Sequence, residues 1–153
     1  MSNGFAGNEF LLNKFIIMIK YQYNLDNITP SMLEGFFAEW GSIFPSKEKH
    51  FEILKNSAYI ILAVDVEINR VVGFINAISD KILSVYIPLL EVLPAYKMKG
   101  IGQELVKKLM EQIKDFYMID LTCDEKHNPF YEKLGMRKYN HVMIRNHDKR
   151  EGR

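Results

Sequence analysis

The chain has 153 residues, 48% of them apolar and 25% charged, which is the composition of one globular domain able to bury a real core. Its 20 Lys and Arg against 19 Asp and Glu leave a formal charge of +1. The total therefore gives no reason to expect nucleic acid or an acidic membrane as partner, and any anion recognition has to be local. The single cysteine, Cys123, excludes an intramolecular disulfide and a cysteine-based metal cluster, and no metal is expected.

Residues 1–12 are expected to be loosely held. Residues 11–19 are apolar but interrupted by Asn13 and Lys14 and lack a basic flank, so they do not read as a targeting signal. No run approaches the roughly 18 apolar residues of a membrane span. A cytoplasmic protein is the default expectation. Residues 15–23, rich in Ile and Tyr, read as a first strand. Thr29 and Pro30 supply an N-cap and a first-turn proline for a helix through Trp40. Pro45 and Ser46 open a second helix over residues 47–56.

A β pattern follows, with strands expected over residues 58–65, 70–79 and 82–93 and turns at 67–69 and 79–81. The third of these has few polar sites and reads as central, covered on both faces. After Gly100, Ile101, Leu105, Leu109 and Ile113 recur every four residues, with Val106 and Met110 widening the stripe, the signature of an amphipathic helix to about residue 115. A strand over 116–121, a short helix over 128–134 closed by Gly135, and a last strand over 137–144 complete the reading. The charged tail 147–153 is expected to fray. The order β-α-α-β-β-β-α-β-α-β implies one domain of the α/β class (α+β in some schemes), with a mixed, mostly antiparallel central sheet and helices on both faces.

The stretch Leu93-Pro94-Ala95-Tyr96-Lys97-Met98-Lys99-Gly100-Ile101-Gly102 lies between a strand and the start of the strongest helix. Its cap region offers no side-chain acceptor. The N–H groups of Gly100 to Gln103 are thus available to an outside anion, with Lys97 and Lys99 adding charge and Gly100 and Gly102 removing bulk. A solvated glycine turn fits the residues equally well. The second constellation is Phe130-Tyr131-Glu132-Lys133-Leu134-Gly135-Met136. Taken alone, Tyr131 suits core packing better than proton transfer.

Together with Leu90-Glu91-Val92, these two segments resemble the GNAT superfamily of acyl-CoA-dependent N-acetyltransferases. The first is similar to its pyrophosphate loop, the second to its Phe-Tyr-x-x-x-Gly segment. The resemblance implies acetyl-CoA as co-substrate, with Leu90, Glu91 and Val92 as the splayed strand that pairs with the pantetheine arm. It implies Lys97, Met98, Lys99, Gly100, Ile101, Gly102 and Gln103 at the pyrophosphate, and Tyr131 as the acid for the departing thiolate. Three positions depart from the pattern: Lys97 stands for the usual Arg or Gln, Met98 for a frequent Gly, and Asp124 for a frequent Asn beside the cofactor.

The reaction implied is direct attack of a neutral amine on the thioester, which needs a base or water relay. Glu91 is the candidate, against the alternative of a carboxylate turned to a solvated cleft. His127 reads as a surface histidine and Cys123 as a buried strand-end thiol. Phe36, Phe37, Trp40 and Phe44 can line an acceptor pocket or pack the core, and Glu34 and Glu39 can attract a cationic amine. A small-molecule or peptide amine is the expected acceptor, and a homodimer through the last strands is allowed. The competing class is an acyl-CoA-binding module without turnover, and a third reading is an unrelated nucleotide-binding α/β protein.

Overall fold

The computed structural model describes residues 17–152. A single five-stranded sheet runs in the order β1-β2-β3-β4-β5. Its strands are β1 (Ile19–Gln22), β2 (Tyr59–Asp65), β3 (Arg70–Ser79), β4 (Ser84–Val92) and β5 (Met118–Leu121). The first three pairings are antiparallel and β4 with β5 is parallel, as a crossover helix between them requires. The helices are α1 (Lys47–Lys55), α2 (Ile101–Ile113) and the short α3 (Asn128–Glu132). The mixed, mostly antiparallel sheet with helices on both faces is the expected architecture.

Alternation along β3 shows how the two faces are filled. Phe74 turns one way, its ring against Phe36, Phe37 and His50. Gly73 turns the other way, toward α2. The apolar stripe of α2 is buried as its spacing predicts, with Ile101, Leu105, Val106, Leu109 and Ile113 all within the core. Each such burial contributes roughly 2 kcal/mol. Gly73 lets this helix approach: a Cβ there would lie 3.2 Å from both Ile101 Cγ2 and Leu105 Cδ1, and 3.3 Å from Val92 Cγ2. Gly73→Ala is therefore expected to destabilise the fold by about 1–3 kcal/mol, read from urea unfolding.

Several elements differ from the sequence reading. The helix expected over residues 29–40 is two 3₁₀ turns, Pro30–Leu33 and Ala38–Trp40. Between them Gly35 and Phe37 hold φ of +93° and +64°, which no helix accommodates. The cause is tertiary: Arg70 Nη2 donates to the Glu34 carbonyl at 2.7 Å, and a Cβ on Gly35 would lie 2.9 Å from that nitrogen. Thr29 makes no cap bond to the backbone; its hydroxyl meets that of Ser31. Ser46 does cap α1, accepting from the Lys49 N–H.

The first strand is shorter than expected, and residues 15 and 16 of that reading lie outside the described residues. The expected strand over 82–93 begins at Ser84, because Asp80 takes the N–H groups of Ile82, Leu83 and Ser84 into a turn. It lies between β3 and β5, one strand in from the sheet edge, and is half-buried along most of its length, so its cover is partial. Residues 137–144, expected as a last strand, join no ladder. The segment carries residues that favour strands, but Tyr139, Val142 and Ile144 stay almost wholly exposed. The neighbouring β5 offers an edge of only four residues. The tail forms a 3₁₀ turn, His147–Lys149, and returns to the 38–40 turn, where Arg150 Nη1 donates to the Trp40 carbonyl.

Candidate active site

The site begins with an irregularity in β4. Its register against β3 runs Val92↔Gly73, Glu91↔Phe74, Leu90↔Ile75 and Leu89↔Asn76, and resumes at Tyr86↔Ile78. One extra residue on β4 therefore stands opposite Ala77, at Ile87 and Pro88. Proline has no N–H to give a ladder, and a bulge bends its strand. The parallel ladder to β5 stops at the same place, at Ile87↔Leu121. From Leu89 to Val92 the outer edge of β4 has no strand beside it among the described residues. A V-shaped gap opens between the two strands, flanked by backbone donors and acceptors.

The loop and helix that follow close one end of this gap. The turn Pro94–Tyr96 is tied down because the Tyr96 hydroxyl donates to Asp65 at 2.7 Å, and the buried Asp65 also accepts the Glu67 N–H. Met98 is fully exposed at φ +61°, and Gly100 stands at φ +80° as the N-cap of α2 without a side-chain cap. Only at Glu104 does an amide close onto the helix, on the Gly100 carbonyl at 3.0 Å. The amides ahead of it, with the positive end of the dipole, form a fit for an anion. A Cβ on Gly100 would meet nothing within 4 Å, so its conformation, not crowding, calls for glycine. Gly102 serves packing: a Cβ there would lie 3.7 Å from Val92 and 4.0 Å from Phe130.

Phe130 thus joins α3 to the start of α2, and Tyr131 packs edge-on against it at 4.9 Å. Tyr131, Cys123, Asn128 and Tyr86 line a cleft of about 640 Å³ between β5 and residues 136–141. Burial, then the neighbouring Cys123, pushes the Tyr131 hydroxyl up to about 12. The Cys123 thiol is also pushed up by burial, and its Sγ lies 3.4 Å from Asn128 Oδ1. Cys123 is half-buried, two residues past the end of β5, and not the buried strand-end thiol expected; a thiol of raised pKa is a poor nucleophile. Asp124 is exposed and 3.9 Å from Lys126, and His127 is exposed ahead of α3.

Alternation puts Leu90 and Val92 on the α2 face and Glu91 on the opposite one, beside the residue 35–40 segment. There both carboxylate oxygens accept the Phe37 N–H, at 3.0 and 3.1 Å. Burial raises the Glu91 pKa above the ordinary carboxylate value, the Phe37 hydrogen bond opposing in part. This contact also accounts for the strained φ of Phe37, since the carboxylate fixes its amide while its ring is buried. Lys97 reaches to the same turn: its Nζ is 2.9 Å from Glu39 Oε1 and holds that carboxyl below its usual range. The turn is thereby tied to β4 by Phe37, to the loop by Glu39 and to the tail by Trp40. Of these ties only the residue types were legible beforehand.

The gap beside β4, the uncapped start of α2 and the Phe130–Tyr131 pair adjoin one another, with Glu91 on the face of β4 away from α2. A model described as the acetyltransferase (GNAT) family matches residues 25–136, and the chain belongs to that family. The structure resembles a candidate acetyltransferase of Deinococcus radiodurans R1 with 40% identity and a TM-score of 0.84, covering 88% of this chain and 92% of that one. It resembles a GNAT family protein of Streptococcus pneumoniae TIGR4 with 26% identity and a TM-score of 0.65, over 84% and 99% of the two chains. The fold is shared with glucosamine-6-phosphate N-acetyltransferase of Arabidopsis thaliana, at 20% identity, a TM-score of 0.62 and coverage of 84% and 97%. No curated protein sequence matches. Among the described residues no helix is long and apolar enough to cross a membrane, and no three His, Cys, Asp or Glu side chains gather to hold a metal.

Proposed function

We propose that the chain transfers the acetyl group of acetyl-CoA to a primary amine of a small molecule or peptide, in the cytoplasm. The observation that carries this reading is the free edge of β4 from Leu89 to Val92, ending at an uncapped helix start. An extended amide-bearing arm can pair with such an edge while its phosphates meet the amides of Ile101, Gly102 and Gln103. Met98, Lys99 and Gly100 shape that loop, Lys97 adds charge once it leaves Glu39, and Asp124 flanks the far side. Bound there, acetyl-CoA supplies an activated acyl carbonyl and a thiolate leaving group.

The acceptor approaches from the other face, where Glu91 stands. An amine arriving as ammonium has to lose a proton before it attacks, and a carboxylate of raised pKa takes that proton more readily than an ordinary one. Tyr131 holds its hydroxyl proton throughout the physiological range and can give it to the departing sulfur. A thiol normally titrates near 8.5, so this transfer is uphill for a hydroxyl near 12. The raised Cys123 thiol in the same wall supports a smaller gap, because burial disfavours a thiolate there as well.

Two experiments test the reading. Isothermal titration with acetyl-CoA, competed by ATP, separates a CoA site from a general nucleotide site: acetyl-CoA binds and ATP at equal concentration leaves it bound. Glu91→Gln is expected to lower kcat/KM about tenfold or more at pH 7 and to remove the acid limb of the pH–rate profile. In the unaltered protein that limb rises with pH as Glu91 ionises, at a pH above the ordinary carboxylate range. A profile of unchanged shape in Glu91→Gln assigns Glu91 to holding the Phe37 amide alone.

A further inference from the structure

The turn Ala38–Trp40 is held by ties of unequal strength. Phe37, just before it, is fixed by its buried ring and by Glu91, and Trp40 by Arg150 on its carbonyl. The remaining tie is an ion pair to the loop ahead of α2, Lys97 Nζ to Glu39 Oε1 at 2.9 Å. It is the only ion pair of Glu39 among the described residues. Lys126 and His127 also lie near enough to lower the Glu39 pKa, but Lys126 turns to Asp124, 3.9 Å away. Both partners of the pair are solvated, Lys97 at 45% exposure and Glu39 at 75%. An ion pair of this kind is weak, and a stronger anion can take the lysine from it.

Lys97 belongs to the loop that closes one end of the gap, and Glu39 to the turn beside Glu91 on the opposite face of β4. A pyrophosphate at the start of α2 carries more charge than one carboxylate and lies beside the backbone of Lys97 itself. Carboxylate and pyrophosphate therefore compete for one cation from opposite sides of the strand. The turn has little to replace the tie when it is lost. Residues 38–41 are all exposed, and the turn has no side-chain cap.

We infer that the Lys97–Glu39 pair is a latch between the donor loop and the acceptor turn, opened when the pyrophosphate of the cofactor takes Lys97. The inference rests on the reading of the loop as the pyrophosphate site. It adds Glu39 as a positioning residue that sets cofactor affinity without touching the cofactor. Glu39 opposes binding because it must first give up its lysine. Binding in turn loosens residues 38–41 and leaves Glu39 and Glu91, each of which feels the charge of Lys97, without that neighbour. The acceptor side of the loaded protein is then the more negative, which favours a cationic acceptor.

The probe is CoA itself, which binds without turnover, titrated calorimetrically into the unaltered protein, Glu39→Gln, Lys97→Met and the double variant. Glu39→Gln is expected to bind CoA about two- to fivefold more tightly, the worth of one exposed ion pair. Lys97→Met binds it more weakly, and adding Glu39→Gln to Lys97→Met brings no further change. No gain in Glu39→Gln, or no loss in Lys97→Met, overturns the latch. An equal gain from Glu39→Gln in both backgrounds also overturns it, because Glu39 then merely repels the phosphates. Trp40, the only tryptophan of the chain, gives a second readout, since it adjoins Glu39 and its ring lies 4.9 Å from that of Phe37. Its fluorescence is expected to change when CoA binds the unaltered protein and to stay constant when CoA binds Glu39→Gln. No change in the unaltered protein, or the same change in both, contradicts the latch. If CoA does not bind the unaltered protein at all, the acetyltransferase reading fails and the latch with it. Binding without the expected gain strikes the latch alone.

Discussion

Replacing Tyr131 by Phe is expected to lower kcat about a hundredfold while KM for acetyl-CoA changes by less than about twofold. The change removes one oxygen and leaves the ring edge-on against Phe130, so the link between α3 and the start of α2 persists. What is lost is the proton that meets the negative sulfur as the thioester collapses. A hundredfold loss corresponds to about 2.7 kcal/mol of transition-state stabilisation, within the range of a single general acid. Saturating acetyl-CoA and amine, with thiol release followed over the pH range, give the number. A drop of less than about threefold assigns Tyr131 to packing, the role its residue type alone favours.

The second large effect concerns stability against pH. Burial pushes His50 down from 6.5 to about 4, the nearby Leu33 backbone opposing only in part. The unfolded chain therefore binds a proton at this residue near pH 6.5, whereas the folded chain resists it until about pH 4. The stability linked to the neutral ring is fully present above pH 6.5 and is lost as pH falls toward 4. The size is about 3 kcal/mol, from 1.36 kcal/mol per unit. Urea unfolding at pH 7 and pH 4 measures it. His50→Phe is expected to remove most of that fall, because a phenylalanine has nothing to protonate. A pH dependence unchanged in the variant places the fall on other groups.

The elements that sequence reading found are those whose signal is local. The spacing of Ile101, Leu105, Leu109 and Ile113 fixes α2 without help from the rest of the fold, and Ser46 caps α1 within its own turn. Residues 29–40 carry equally good local signals, Thr and Pro at the start and apolar residues at helical spacing. Two distant groups override them: Arg70 takes the Glu34 carbonyl and Glu91 takes the Phe37 amide. Neither partner is visible from within the segment. The last expected strand fails for a related reason, since β-branched and aromatic residues state a preference for pairing and β5 supplies only a short edge.

The site divides the same way. Pro88, read only as part of an unbroken strand, sits at the bulge that separates β4 from β5, whereas Gly100 and Gly102 marked the loop. Which face Leu90 takes and which Glu91 takes follows only from register. Tyr96 lay inside the motif, yet its role, an anchor on Asp65, depends on a residue 31 positions earlier. His50 carried no signal in the sequence beyond being a histidine in a helix. Only its burial and the aromatic packing around it give it significance.

The measurement closest to the central claim is the release of free CoA thiol from acetyl-CoA by the unaltered protein, with and without a panel of primary amines. The account predicts release that depends on the amine, saturates with it, and accompanies one acetylated amine per thiol. Tight binding of acetyl-CoA with no release above the amine-free rate for any amine contradicts it, and makes the fold a binding module for acyl-CoA.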